Sequence, residues 1–222
     1  EVFRYGGAGT VLLIGLLLYV GLHPLMLGGT ASRLLSGAIV GVILVAGTIA
    51  ASRSKLLRAI GIVLAAATFG LQVGWLMTGQ RMIEAMMMAS FAVFCFFTAA
   101  VILRHVLSFG PLYADRVHAA LSVYILLAFA WAGAYAMIEI LSPGSFSMPT
   151  QAGAKPDEGV PLLSDMMHLS IATLTSTGYG DITAVAPFAR SLSQLEQLTG
   201  VFYIAVLISR LIGLYPTEER ER

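Results

Sequence analysis

The sequence predicts an all-α membrane protein. Six transmembrane helices are expected, with a short re-entrant helix and irregular backbone between helices five and six. Three observations carry this. Of 222 residues, 58% are hydrophobic and only 11% charged, and the mean hydropathy is +0.85. Soluble domains carry roughly 25% charged residues. The 13 basic and 12 acidic side chains cannot cover a globule of this length, so lipid must solvate most of the surface. The apolar residues also gather into six long runs, each near the roughly 20 residues that cross a hydrocarbon core. A seventh run, between the fifth and the sixth, is too short to cross. These proportions exclude a disordered chain, a nucleic-acid binder and an ordinary soluble enzyme. The formal net charge of +1 identifies no partner.

The first span is read over Ala8–Leu27 and the second over Leu34–Ala51, joined by the Gly/Thr/Ser turn Gly28–Arg33. No A-x-A-like cleavage site follows the first run, so it reads as a span and not a signal peptide. Residue 1 is Glu, and the native start is expected to be trimmed. The third span, Ala59–Thr78, follows the basic turn Ser52–Arg58, and the fourth, Ala85–Leu103, follows the polar turn Gly79–Glu84. Cys95, the single cysteine, lies inside the fourth apolar run, so disulfide chemistry plays no part in the fold. The stretch 105–118 mixes polar and apolar residues and reads as an interfacial linker. It divides a four-helix unit (1–104) from a second unit (119–222) that holds the fifth span, Ala119–Leu141, and the sixth, Phe188–Leu214.

Lys and Arg positions orient the stack. Arg4, Arg53, Lys55, Arg58, Arg104, Arg116, Arg210, Arg220 and Arg222 share one side, and Arg33, Arg81, Lys155 and Arg190 the other. Nine against four places both termini in the cytoplasm.

Ser142–Val160 is polar and rich in Pro and Gly, and reads as an extracellular loop. The apolar run that follows, Pro161–Thr175, is helical in character but too short to span, which suits a re-entrant helix. Ser164 is its expected N-cap, with Asp165 favourable at the positive end of the helix dipole. Such a segment leaves irregular backbone at membrane depth, tolerated only where protein buries it or an aqueous path runs past it. The run continues as Thr175-Ser176-Thr177-Gly178-Tyr179-Gly180-Asp181. A cation that sheds water needs oxygen ligands at fixed distance. Successive carbonyls can face one axis only if the backbone alternates in handedness, and glycine adopts positive φ without a Cβ penalty. Gly178 and Gly180 stand at alternate positions. Tyr179 between them is expected to brace the loop against the re-entrant helix. One loop offers too few oxygens to surround an ion, so several chains must converge.

Here the sequence resembles the potassium-channel family, whose signature Thr-Val-Gly-Tyr-Gly-Asp is matched by Ser176-Thr177-Gly178-Tyr179-Gly180-Asp181. The resemblance covers about Ala119–Tyr215 and implies a pore domain: outer helix, re-entrant pore helix, selectivity filter and inner helix. It implies that the carbonyls of Ser176, Thr177, Gly178 and Tyr179, with the Ser176 hydroxyl, hold dehydrated potassium ions in single file, with Gly180 completing the filter. It also implies a homotetramer around the pore axis, in a bacterial inner membrane. Ser176 stands for the usual Thr, keeping the hydroxyl and losing a methyl. Thr177 stands for the usual Val or Ile, nearly isosteric but polar.

Further residues follow. Thr175 and Asp181 flank the filter as support, Asp181 at the outer mouth. His168 occupies a position where related channels carry an aromatic, and is read either as a brace for Tyr179 or Asp181, with some pH sensitivity, or as a packing residue. Gly200 lies 19 residues after Asp181, where simple bacterial members place a hinge; its other reading is a small residue for close helix packing. Helical spacing puts Val201, Ile204, Ile208, Ser209 and Ile212 on one wall of the inner cavity, where an apolar lining can gate by dewetting. Ordinary helix packing is the other reading for each. Glu139 and Glu196 are candidate intramembrane acids, functional by default at that depth, or braces near the outer interface bonded to the pore helix. The fourth span has one Arg, at its inner end, where a voltage sensor needs a basic residue at every third position.

The leading expectation is a potassium channel with little or no voltage dependence. A non-selective cation channel, a potassium uptake transporter subunit and a non-conducting membrane module are the alternatives. His23, His105, His118 and His168 are scattered without metal-ligand spacing, and no nucleophile–base pair is suggested, so no enzyme is expected. The residues after Leu214 are too few for a ligand-binding domain, so any regulatory domain or subunit is expected elsewhere.

Overall fold

The computed structural model of the chain describes residues 8–22, 37–39, 41–42, 44–49, 54–107, 114–148 and 162–213. Helix dominates, as it must where apolar chain has no water to bond its backbone. In order the helices are α1 (Ala8–Leu22), α2 (Gly37–Ile49), α3 (Lys55–Thr78), α4 (Arg81–Val106), α5 (Ala114–Leu141), α6 (Leu162–Leu174) and α7 (Pro187–Gly213). Among them α3, α4, α5 and α7 are long and apolar enough to cross a membrane. Within the described residues α1 and α2 are apolar but shorter. The remaining parts of the first two expected spans, 23–27, 34–36 and 50–51, lie outside the described residues, as do the turn 28–33, the loop 149–161 and the last residues of the expected sixth span.

Several boundaries differ from expectation. α4 runs to Val106 and α5 already begins at Ala114, because no helix breaker stands between Ala114 and Ala119. The separate linker therefore shortens to the residues around 107–113, of which 108–113 lie outside the described residues. α6 starts at Leu162, so Ser164 sits inside its first turn and is not the N-cap. The turn between α3 and α4 is only Gly79-Gln80: Gly79 adopts a left-handed φ of 63° and its N–H bonds the Trp75 carbonyl at 2.7 Å.

α5 is the central element, in contact with α1, α4, α6 and α7. It is apolar on all sides, as a helix enclosed by others must be, and Val123, Leu126, Phe129 and Tyr135 are fully buried. α3 shows the opposite pattern. It packs on α4 but leaves Leu56, Val63, Phe69 and Met77 exposed, a surface that only lipid can solvate. A few hydroxyls and one guanidinium cross the helix contacts. Thr48 meets Thr98 at 3.2 Å, Thr68 meets Ser90 at 2.8 Å and Thr10 meets His118 Nδ1 at 2.7 Å. Arg81, at the start of α4, donates to the Ile140 carbonyl at the end of α5.

The C-terminal end of α5 and the N-terminal end of α7 are joined by a feature the sequence did not suggest. Phe146–Ser147 (β1) pairs antiparallel with Thr183–Ala184 (β2), in register Phe146 with Ala184 and Ser147 with Thr183. The Ser145 carbonyl accepts the N–H groups of Val185 and Ala186. Glu139 holds the same corner, accepting Gly144 N–H at 2.7 Å and Phe146 N–H at 2.9 Å. Because β1 and β2 are paired, the chain leaves α5 and enters α7 at one end of the bundle. Between them α6 runs inward, and Thr175–Ile182 brings the chain back.

Candidate functional site

The site begins where α6 ends. A helix terminus leaves its last carbonyls unpaired, and the chain beyond Leu174 folds back to use them. Thr175 N–H bonds Ile171 O and Ser176 N–H bonds Thr173 O, both at 3.0 Å. The amides of Thr177 and Gly178 then both reach the Ala172 carbonyl, at 2.8 and 3.2 Å. The amides from Thr175 to Gly178 are thus turned toward the helix. Among the described residues, none of the carbonyls from Thr175 to Gly180 accepts a hydrogen bond.

Handedness alternates along the loop. φ is 56° at Ser176, 58° at Gly178 and 81° at Gly180, while Thr177 and Tyr179 are not positive. The glycines take this conformation freely. Ser176 is the one non-glycine with positive φ among the described residues, and it holds a conformation that costs a residue with a Cβ roughly 1–2 kcal/mol. Backbone held against such a cost is a mark of functional segments. All residues from Thr175 to Asp181 are exposed on the single chain. The Thr177 hydroxyl has a partner: it meets Thr175 Oγ1 at 2.8 Å, and Thr175 donates to Ile171 O at 2.7 Å.

The outer end of the loop is held by His168 from α6. Its Nε2 lies 2.8 Å from Asp181 Oδ2, and its ring stacks on Tyr179 with centroids 5.5 Å apart and planes 15° apart. Both partners considered for His168 are in contact with it. Asp181 Oδ1 accepts the Ile182 N–H at 2.9 Å. Desolvation works against the Asp181 anion, but the Ile182 amide and the His168 ring outweigh it and hold the carboxyl below its usual range. The sign follows. A depressed carboxylate contributes stability above its ordinary pKa and loses it as pH falls through the lowered value. In an acid titration of the Asp181 carboxyl carbon by NMR, the inflection should fall below the ordinary carboxylate value. In His168→Leu it should move up toward that value. An unmoved inflection would remove His168 as the cause.

α7 passes behind this structure. A Cβ built on Gly200 would lie 2.0 Å from the Leu174 carbonyl oxygen, so the glycine lets α7 cross the end of α6 with backbone against backbone. Within α7 the helix continues unbroken past it. Val201, Ile204, Ile208 and Ser209 are exposed, and Ser209 shares a cleft with Leu107 just after α4; the side chain of Ile212 lies outside the described residues. Glu196 is fully buried, accepts a hydrogen bond from Tyr135 of α5 and has its Oε1 within hydrogen-bond distance of Ser170 Oγ of α6. Glu139 bonds the corner after α5 and not α6, so the two acids do different things. Tyr124 donates to the Leu174 carbonyl at 2.8 Å and Tyr203 to the Ala120 carbonyl at 2.5 Å, completing the ties around the end of α6.

Sequence reasoning passed over Tyr124, Tyr135 and Ser170. Each is a polar group inside an apolar helix, and buried polar groups require partners. Searching for donors to Glu196 is the signal that would have found the last two.

Residues 123–215 match a family model described as an ion channel, a segment that runs from α5 through the loop into the end of α7. The match supports an ion-channel domain in this part of the chain. No curated protein and no solved structure gives a match.

Proposed function

We propose that this chain is one subunit of a homotetrameric potassium-selective channel of a bacterial inner membrane, with six spans, cytoplasmic termini and little or no voltage dependence. Potassium is the substrate, and it passes through a filter of backbone carbonyls from Ser176, Thr177, Gly178, Tyr179 and Gly180. One observation carries the reading. The loop after α6 alternates in handedness at Ser176, Gly178 and Gly180 and spends its inner amides on the helix end, leaving its carbonyls without a protein donor among the described residues. Carbonyl dipoles presented in this way replace the hydration shell of a cation. The negative end of α6 beside them favours positive charge. A single loop supplies too few oxygens, and the exposure of the whole loop on one chain suits an axis shared by four.

Voltage independence rests on α4, which has Arg81 at one end and Arg104 near the other, with no basic residue between. Arg81 is tied to the end of α5, so little charge is free to move across the field. The Thr177–Thr175 hydroxyl pair favours a second reading, a less selective cation channel, because a polar side chain stands behind the filter.

Rubidium flux into proteoliposomes separates the two. Potassium should compete, barium should block, and sodium should be excluded by about a hundredfold or more, which corresponds to about 2.7 kcal/mol. Equal sodium and rubidium entry would leave the non-selective channel. A detergent particle of one or two chains instead of four would favour a transporter subunit.

A further inference from the structure

The buried cluster of Glu196, Ser170 and Tyr135 joins the three helices of the channel half. All three residues are completely shielded. Tyr135 donates to Glu196 Oε2. Ser170 Oγ lies within hydrogen-bond distance of two acceptors, the Ala128 carbonyl at 2.8 Å and Glu196 Oε1. A serine hydroxyl owns one proton. If Glu196 were an anion, one of these two oxygen pairs would face each other with no proton between them. The Ala128 carbonyl has no proton to give. A carboxylic acid at Glu196 removes the conflict: Oε1–H donates to Ser170, Ser170 donates to Ala128, and Oε2 accepts from Tyr135. Every group is then satisfied, as a buried network requires.

We infer that Glu196 is carried as a neutral acid whose proton closes a clamp across α5, α6 and α7 behind the filter, and that removal of this proton in alkali opens the clamp and stops conduction. Glu196 is thus a positioning residue: it acts on the ions only through α6. The titratable groups facing it are Tyr135 and Tyr124 from α5, while α6 contributes only the Ser170 hydroxyl. Among the described residues no Lys, Arg or His is paired with it. The loss of conduction rests on the channel reading; the protonation of Glu196 does not.

Two measurements on the full chain in liposomes therefore serve as the test. The first is infrared spectroscopy at neutral pH. The protein should show the C=O band of a protonated carboxyl that is missing in Glu196→Gln and shifted to higher frequency in Tyr135→Phe, which strips the donor from Oε2. The second is rubidium flux. The unsubstituted protein should lose about tenfold as pH is raised from neutral toward the ordinary tyrosine range near 10. Glu196→Gln, whose amide donates to Ser170 and accepts from Tyr135, should conduct like the parent at neutral pH and change by less than about twofold over the same range. If Glu196→Gln fails to assemble, the Tyr135→Phe band shift still decides the protonation. Absence of that band, or its insensitivity to Tyr135→Phe, overturns the inference. So does an alkaline loss in Glu196→Gln equal to that of the parent. A band that behaves as described in a protein without rubidium flux would leave the clamp standing and sink the channel.

Discussion

Gly200→Ala is expected to cost the channel its assembly. The added Cβ would lie 2.0 Å from the Leu174 carbonyl oxygen, and reaching even 3.0 Å requires α7 to move back by about 1.0 Å along a contact of backbone with backbone. No flexible side chain is present there to yield. Overpacking of this kind costs roughly 1–3 kcal/mol or more in each subunit, and the proposed tetramer would multiply it. We expect the tetramer band to fall to a minor fraction and the melting temperature of what remains to drop by many degrees. A hinge makes the opposite prediction. If Gly200 served only to bend α7, alanine would leave assembly intact, stiffen the helix slightly and alter only the open probability. Native mass measurement beside flux separates the two, and a stable tetramer with changed opening would refute the packing role.

Gly178→Ala should abolish flux for a different reason. Nothing lies within 4 Å of a Cβ built there on the single chain, so the clash argument does not apply. The cost is conformational: φ is 58°, and alanine in the left-handed region costs about 1–2 kcal/mol. In the proposed tetramer four copies would sum to roughly 4–8 kcal/mol, enough to favour a different loop conformation by about three orders of magnitude or more. Rubidium flux should therefore fall at least about a hundredfold while the protein still assembles. Thr177→Val is the control one residue away. Its φ is not positive, so it should keep its flux and lose only the bond to Thr175. Equal damage from both substitutions would mean that handedness is not what matters.

The sequence made some of this architecture legible and hid the rest for identifiable reasons. The short helix expected over Pro161–Thr175 is found at Leu162–Leu174, because a run of apolar residues too short to span is a strong pattern. Positive φ at Gly178 and Gly180 was readable from residue type. At Ser176 it was not, since nothing in a serine announces a left-handed backbone; the bonds around the end of α6 accompany it. Glu139 and Glu196 look alike in sequence, each an acid in an apolar run. Their roles part only through contacts with Gly144 and Phe146 on one side and Tyr135 and Ser170 on the other, at sequence separations that no periodicity encodes. The pairing of β1 with β2 involves two residues from each strand, too few for an alternating pattern.

The amides of Thr177 and Gly178 hang from one oxygen, that of Ala172. The depth of the ion path is thereby referenced to a ruler, the length of α6 measured from its entry at Leu162. Each residue added to or removed from that helix displaces its end by 1.5 Å and rotates it by about 100°. Such a change would turn the Leu174 carbonyl out of register with Gly200 and Tyr124, and in the proposed tetramer it would displace the loop from its three counterparts. The composition of α6 has some latitude for exchange, but its residue number has almost none.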